Sequence, residues 1–183
     1  MHRVRYPTGP FRPRGNQRLP DERYEEPGTF CFLTIRAHRQ QKPFTDPVRN
    51  ATVIKTPTED RLRLGVLVYC LMPDHLHLLL TPRLRGRSML TFADQFKGKS
   101  TNRGWKTGWS GKLWQPRNYD HALRAEEEFG AVATYILENP LRQGMAEEPQ
   151  EYLWSGGIDQ YGGWHVGEAY AEWKSWRATA TGP

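Results

Sequence analysis

The stretch Tyr69-Cys70-Leu71-Met72-Pro73-Asp74-His75-Leu76-His77-Leu78-Leu79-Leu80 constrains the fold more than any other part of the chain. Upstream, residues 61–71 begin with alternating Arg and Leu and merge into an apolar run, as expected of a strand entering a covered sheet. Pro73 offers no N–H to a ladder, so Met72-Pro73-Asp74 reads as a turn. His75 to Thr81 then forms a second strand, antiparallel to the first because the connection is so short. Residues at i and i+2 of a strand share a face. His75 and His77 therefore present two imidazoles side by side, with Leu76 and Leu78 on the opposite face. Two imidazole nitrogens supply part of a metal site.

The flanks supply a matching set of elements. Thr29 to Arg36 is rich in aromatic and β-branched residues and follows Pro27-Gly28, which marks a strand. Pro47 to Lys55 suits a short helix with Pro in its first turn. Ser88 is a plausible N-cap for a helix from Met89 to Arg103. Residues 113–123 read as an irregular strand, with Pro116 favouring an edge. Glu126 to Glu138 reads as a helix with Phe129, Val132, Ala133 and Ile136 as its buried stripe. Tyr135 and Asn139, four apart, share a face of it, and Pro140 ends it. The order β, short α, β, β, α, β, α predicts an α+β fold: a ferredoxin-like sandwich, a four-stranded antiparallel sheet with helices packed on one face. Residues 28–156 form the expected domain. Residues 1–27 read as a basic, proline-rich disordered tail, and 157–183 as a loosely packed C-terminal tail.

The charge balance points to a polyanion. The 183 residues carry 26 Lys and Arg against 20 Asp and Glu, for a net charge of +6. The imbalance is local: between Arg83 and Arg124 ten basic residues face two acids, Asp94 and Asp120. Cations interleaved with tryptophans suit single-stranded nucleic acid, where phosphates are neutralised and bases stack. Arg83, Arg85, Arg87, Lys97, Lys99, Arg103, Lys112 and Arg117 are the candidate DNA contacts. Trp105, Trp109 and Trp114 are candidate stacking rings, Trp114 being assigned to the core because it lies in the expected strand. Cys31 and Cys70 sit in apolar runs and are expected to be reduced core thiols. No apolar run approaches the ~18 residues of a membrane span. A cytoplasmic, nucleoid-associated protein is expected.

Three motifs occur in a fixed order: Met72-Pro73-Asp74-His75-Leu76-His77, Leu113-Trp114-Gln115-Pro116-Arg117, and Tyr135-Ile136-Leu137-Glu138-Asn139-Pro140-Leu141-Arg142-Gln143-Gly144. In this the chain resembles the REP-associated tyrosine transposases, of the single-tyrosine HUH transposase superfamily, over residues 28–156. The resemblance implies a role for each matching residue. His75 and His77 correspond to the metal ligands, Tyr135 to the nucleophile, and Asn139 to a polar third ligand. It implies a divalent cofactor, Mg²⁺ or Mn²⁺, and a single-stranded or hairpin DNA partner with REP-like palindromes. It also implies cleavage and rejoining through a 5′-phosphotyrosine. A monomer is expected, although dimers with exchanged tyrosine helices are common in the broader superfamily. The chain departs from the family at Tyr152-Leu153-Trp154-Ser155-Gly156 and in the Gly- and Trp-rich loop 104–111.

Two other readings compete. A catalytically silent, domesticated protein would hold hairpin DNA without turnover, but it would have no need of His75, His77 and Tyr135 together. A metal-dependent phosphodiesterase using water would call for a carboxylate-rich cluster beside the histidines, which the sequence lacks.

Overall fold

The structure, a computed structural model, describes residues 20–60, 62–123, 126–158 and 163–165. Its elements are β1 (Cys31–Arg36), α1 (Pro47–Lys55), β2 (Leu64–Met72), β3 (His75–Pro82) and α2 (Met89–Trp105), followed by β4 (Tyr119–Ala122), α3 (Glu126–Leu137), α4 (Asn139–Arg142), β5 (Ser155–Ile158) and β6 (Gly163–His165). The strands form one sheet in the order β4-β1-β3-β2-β5-β6, with each neighbouring pair antiparallel. Its first four strands, with α1 and α2 as the connections, follow the ferredoxin-like βαββαβ plan. The α+β antiparallel architecture is therefore as the sequence implies.

Local chemistry explains the helix starts. The Asp46 carboxylate accepts the Arg49 N–H at 2.9 Å, and Pro47 occupies the first turn of α1. The Ser88 hydroxyl accepts the Leu90 N–H at 3.3 Å and opens α2. After Leu137 the backbone leaves the helical region at Glu138 (φ −85°, ψ 0°). Pro140 cannot donate to an i−4 carbonyl, so α3 stops and the short α4 begins. Asn139 thus opens a new turn instead of continuing the helix of Tyr135.

The sheet has two differently built faces. On one, Leu33, Ile35, Leu76, Leu78 and Leu80 pack with Phe44 and Val53, with Phe92, Ala93 and Phe96 of α2, and with Trp114. On the other, Phe32, Val68, Cys70, Met72 and Leu79 pack with Val132, Ala133, Ile136 and Leu137 of α3 and with Tyr152. A bulge between Val66 and Val68 makes this possible, because the register against β3 shifts there. Val66 faces the α1/α2 side, and Val68, Cys70 and Met72 face the α3 side.

Several expectations are corrected. Among the described residues the sheet has six strands, not four: β5 pairs with β2 and β6 with β5, in residues read from sequence as an exit turn and a tail. Helices cover both faces, because the apolar stripe of α3 has its own apolar surface to cover. The expected strand 113–123 is shortened to Tyr119–Ala122, with a lone bridge from Trp114 to Ala37. The N-terminal tail does not extend to residue 27. Tyr24, in a 3-10 turn at Asp21–Glu25, is fully buried, and its hydroxyl donates to Asp120 at 3.0 Å. Residues 1–19 and most of 159–183 lie outside the described residues. Cys31 and Cys70 are buried thiols, as expected.

Candidate active site

The β2–β3 hairpin turns within Pro73-Asp74, with Met72 paired to His75. Backbone donors from outside hold this turn. Ala37 N–H donates to the Asp74 carbonyl at 2.8 Å and Phe44 N–H to the Pro73 carbonyl at 3.1 Å. The first residue after it, His75, directs Nδ1 to the Asp74 carboxylate at 2.6 Å. Two residues on, His77 directs Nδ1 to the Thr34 hydroxyl at 2.9 Å. Thr34 stands directly across from His77, and Arg36 across from His75. The side chain opposite each imidazole on β1 is thus fixed by strand register.

With both Nδ1 atoms engaged, the two Nε2 atoms converge to 3.0 Å. When each Nδ1–H is given to its oxygen partner, both Nε2 atoms present lone pairs toward one point, an arrangement that favours a shared cation. A metal bound at about 2.1 Å to two nitrogens at a right angle sets them about 3.0 Å apart. Asp74 and Thr34 hold the two rings in this orientation, as outer partners do in metal sites. Burial holds both imidazoles below their ordinary pKa. Asp74 opposes the shift at His75, while His75, Arg142 and Arg36 deepen it at His77. Both are therefore neutral near pH 7, the form that binds metals.

Tyr135 lies on α3 above this pair. Its ring centroid is 5.7 Å from that of His77 and 5.8 Å from that of Phe32, and Phe32 itself stacks on His77 at 5.4 Å. The Arg142 guanidinium covers the Tyr135 ring at 4.4 Å, donates to the Tyr135 carbonyl, and pairs with Glu138 at 3.6 Å. It thereby bridges the break between α3 and α4. Asn139 is 6% exposed, and its Nδ2 has no hydrogen-bond partner, so the amide has unmet polar capacity. Among the described residues no trio of His, Cys, Asp and Glu could hold a metal. The Asn139 amide oxygen is a donor of the type that suits a hard cation.

With this geometry in view, known proteins can be compared. A Haemophilus influenzae protein provisionally named a REP-associated tyrosine transposase is 22% identical over 138 residues, spanning 70% of this chain and 78% of its own length. The chain resembles the REP-associated tyrosine transposases. A solved REP-associated tyrosine transposase bound to a REP hairpin, also 22% identical, superposes with a TM-score of 0.58, covering 75% of this chain and 82% of that one. This likeness shows the shared fold. A Deinococcus radiodurans protein provisionally described as a transposase superposes with a TM-score of 0.42 at 21% identity, too loosely to add to the argument. No family model matches the chain.

Beside the residues implied by the REP-associated resemblance, the basic candidates divide sharply. Lys97, with its side chain 12% exposed, donates to the Pro116 carbonyl at 2.8 Å and to Asn118 at 3.3 Å, and pairs with Asp94. Lys99 and Arg103 both pair with Glu59, and Arg103 also donates to Thr56. Arg87 donates to Gln95. These four side chains tie helices and loops together. Arg83 is half-buried, with its Nε unpartnered, while Arg85, Lys112 and Arg117 are exposed. Arg36 and Arg142 are the cations beside the imidazole pair, and the sequence reading named neither as a site residue. Arg142 stands seven residues, two helical turns, after Tyr135. That spacing was a usable signal until Pro140 made helical continuity doubtful. Arg36, Thr34 and Asp74 depend on strand register, which composition does not encode.

Proposed function

We propose that the chain cleaves and rejoins single-stranded DNA beside a hairpin, with Tyr135 as nucleophile and a divalent cation, Mg²⁺ or Mn²⁺, held by His75, His77 and Asn139. The observation that carries this reading is the placement of the Tyr135 ring against His77 within one chain, where two Nε2 atoms converge at 3.0 Å. Hairpin DNA comes to this chain from its likeness to a transposase solved with a REP hairpin.

In this reading Tyr135 Oη attacks a backbone phosphorus, and its proton passes to water. The bond from phosphorus to the 3′ oxygen breaks, the 5′ phosphate becomes a tyrosine ester, and the departing oxygen takes a proton from water to leave as a 3′-hydroxyl. Another 3′-hydroxyl reverses the step and rejoins strands. When bound, the cation supplies charge stabilisation at the phosphate. The chain's own residues do the rest. Thr34 and Asp74 fix the imidazoles, Phe32 and Arg142 confine the phenol, and Arg36 and Arg142 add positive potential where phosphate charge builds. Because nucleophile and imidazoles come from one chain, the reading supports a monomer as the active unit. No helix among the described residues is long and apolar enough to cross a membrane. A DNA substrate would place the protein at the nucleoid.

The test is Tyr135→Phe with a labelled hairpin oligonucleotide in Mn²⁺. The wild type should form a covalent adduct that survives denaturation, and Tyr135→Phe should form none. An adduct or nick of equal yield from Tyr135→Phe removes the tyrosine from the mechanism. Hairpin binding that is indifferent to EDTA, with no adduct under any metal, would leave only the silent binder.

A further inference from the structure

The three tryptophans between Asn102 and Gln115 have different environments. Trp114 is 4% exposed, donates its indole N–H to Ser100 at 2.8 Å and packs against Phe44 at 4.7 Å. Trp109 is half-buried, with the Arg49 guanidinium 5.0 Å from its ring. Trp105, at the end of α2, is 52% exposed.

The Trp105 ring is held in place. Its indole N–H donates to the Gly111 carbonyl at 2.8 Å, closing a loop that turns through Gly108 (φ +84°) and Gly111 (φ +79°). Side chains other than glycine are strained at such φ values, so the loop shape depends on these two positions. The hydrogen bond uses the indole's single donor within the chain, so the exposed part of the ring offers solvent an apolar surface.

The segment that carries this ring has one sign of charge, and Glu59 reaches it from another element to pair with Lys99 and Arg103. Residues 95–119 include six basic side chains and no acid. Lys97, Lys99 and Arg103 are engaged in the contacts described above. Lys106, Lys112 and Arg117 are exposed. The loop also leads back to the active site. His38 N–H donates to the Leu113 carbonyl and Gln115 N–H to the Arg36 carbonyl, each at 2.9 Å, and Arg36 stands across from His75. The fixed aromatic face, the unbalanced cations and the imidazole pair therefore share one end of the sheet.

We infer that Trp105 is a stacking platform for an unpaired base of the DNA strand, with Lys106 and Lys112 beside the adjoining phosphates. This rests on the reading that the chain binds DNA with a single-stranded portion, and it adds where that portion lies. An aromatic face accepts any base, so the platform contributes affinity and placement without sequence preference. It accounts for a Gly- and Trp-rich loop that the proposed chemistry leaves unused.

The test uses the full chain in EDTA, so that no cleavage step intervenes, with two fluorescent DNAs: a hairpin bearing an unpaired flank and the same hairpin made blunt. Trp105→Ala should raise Kd for the flanked hairpin about tenfold and leave the blunt one within about twofold. Trp105→Phe, which keeps a ring but loses the bond to Gly111, should retain most of the affinity. Equal weakening on both DNAs, no weakening on either, or Trp105→Phe behaving as Trp105→Ala would each overturn the platform. Lys112→Gln should lower the salt slope for the flanked hairpin by about one unit, and an unchanged slope removes the lysine from the site. If the wild type binds neither DNA, the DNA reading itself falls, an outcome separate from selective loss in the variant.

Discussion

The two faces of the sheet are made from the same strands and do different work. The α1/α2 face is closed by leucines, phenylalanines and Trp114, and it carries no titratable group of β3. The α3 face carries Phe32, Cys70 and Leu79 together with His77, Thr34, His75 and Tyr135. One face is a support and the other carries the proposed chemistry. The buried polar groups of the second face are tolerated because each has a partner: Thr34 and His77 meet across β1 and β3, and His75 meets the Asp74 carboxylate of the turn. The geometry of the imidazole pair thus depends on register across β1 and β3 and on the hairpin turn, while the opposite side is closed by apolar packing.

Four measurements test this contrast. The largest effect is expected for His77→Ala, which should reduce single-turnover cleavage in Mn²⁺ by about 10³-fold or more while the circular dichroism spectrum stays native. If cleavage survives, the α3 face is not the reactive one. Next, Leu78→Ala, one residue away and facing the support, should cost about 2–5 kcal/mol of stability in urea titration. Its cleavage per folded molecule at low temperature should stay within severalfold of wild type. A comparable loss of chemistry at full stability would mean that the two faces are not separable.

Thr34→Val should cost about 1–3 kcal/mol of stability, because a buried imidazole nitrogen loses its partner, and should weaken Mn²⁺ binding, followed by calorimetry, about 10- to 100-fold, because His77 would lose its orienting oxygen. An unchanged affinity would remove Thr34 from the site. The smallest effect concerns alkaline pH. Burial pushes the Tyr69 phenol and the Cys70 thiol each up to about 12. Both folded values lie above the ordinary ones, so the stability they confer is fully present below pH 9 and is lost as pH rises toward 12. Each group contributes at most about 1.4 kcal/mol per pH unit in its window. Cys70→Ala should flatten the decline of the urea midpoint that begins near pH 9, and an identical slope would remove the thiol from it.

Much of this was legible in the sequence, and what was not has identifiable causes. The hairpin around Pro73-Asp74 and the pairing of His75 with His77 follow from period-2 patterning and one proline. Pro47–Lys55 matched because Asp46 and Pro47 mark a helix start chemically. By contrast, Ser155-Gly156-Gly157-Ile158 offers almost no side-chain signal for a strand; backbone pairing with β2 and β6 makes it one. Tyr24 was lost among charged neighbours, because burial of one aromatic in a short 3-10 turn leaves no period. Lys97, Lys99 and Arg103 read as a basic surface, since the sequence does not reveal Glu59 and the 116–118 carbonyls waiting across the fold. The site had the same boundary: the proposed ligands and nucleophile stood in motifs, while Thr34, Arg36 and Arg142 joined through three-dimensional placement.

The bulge at Val66 and Val68 carries a consequence for how this chain can change. It works as a half-period phase shift inside β2, letting one apolar run serve the support before it and the reactive side after it. Removing Leu67 would take out the extra residue and leave Val66 opposite Leu80 and Val68 opposite Leu79, as they already stand. Val66 and Val68 would become ordinary strand neighbours on opposite faces, with Cys70 and Met72 still toward the imidazoles and Tyr69 and Leu71 still toward the support. β2 can therefore shorten by one residue at Leu67 without exchanging the wall of the site.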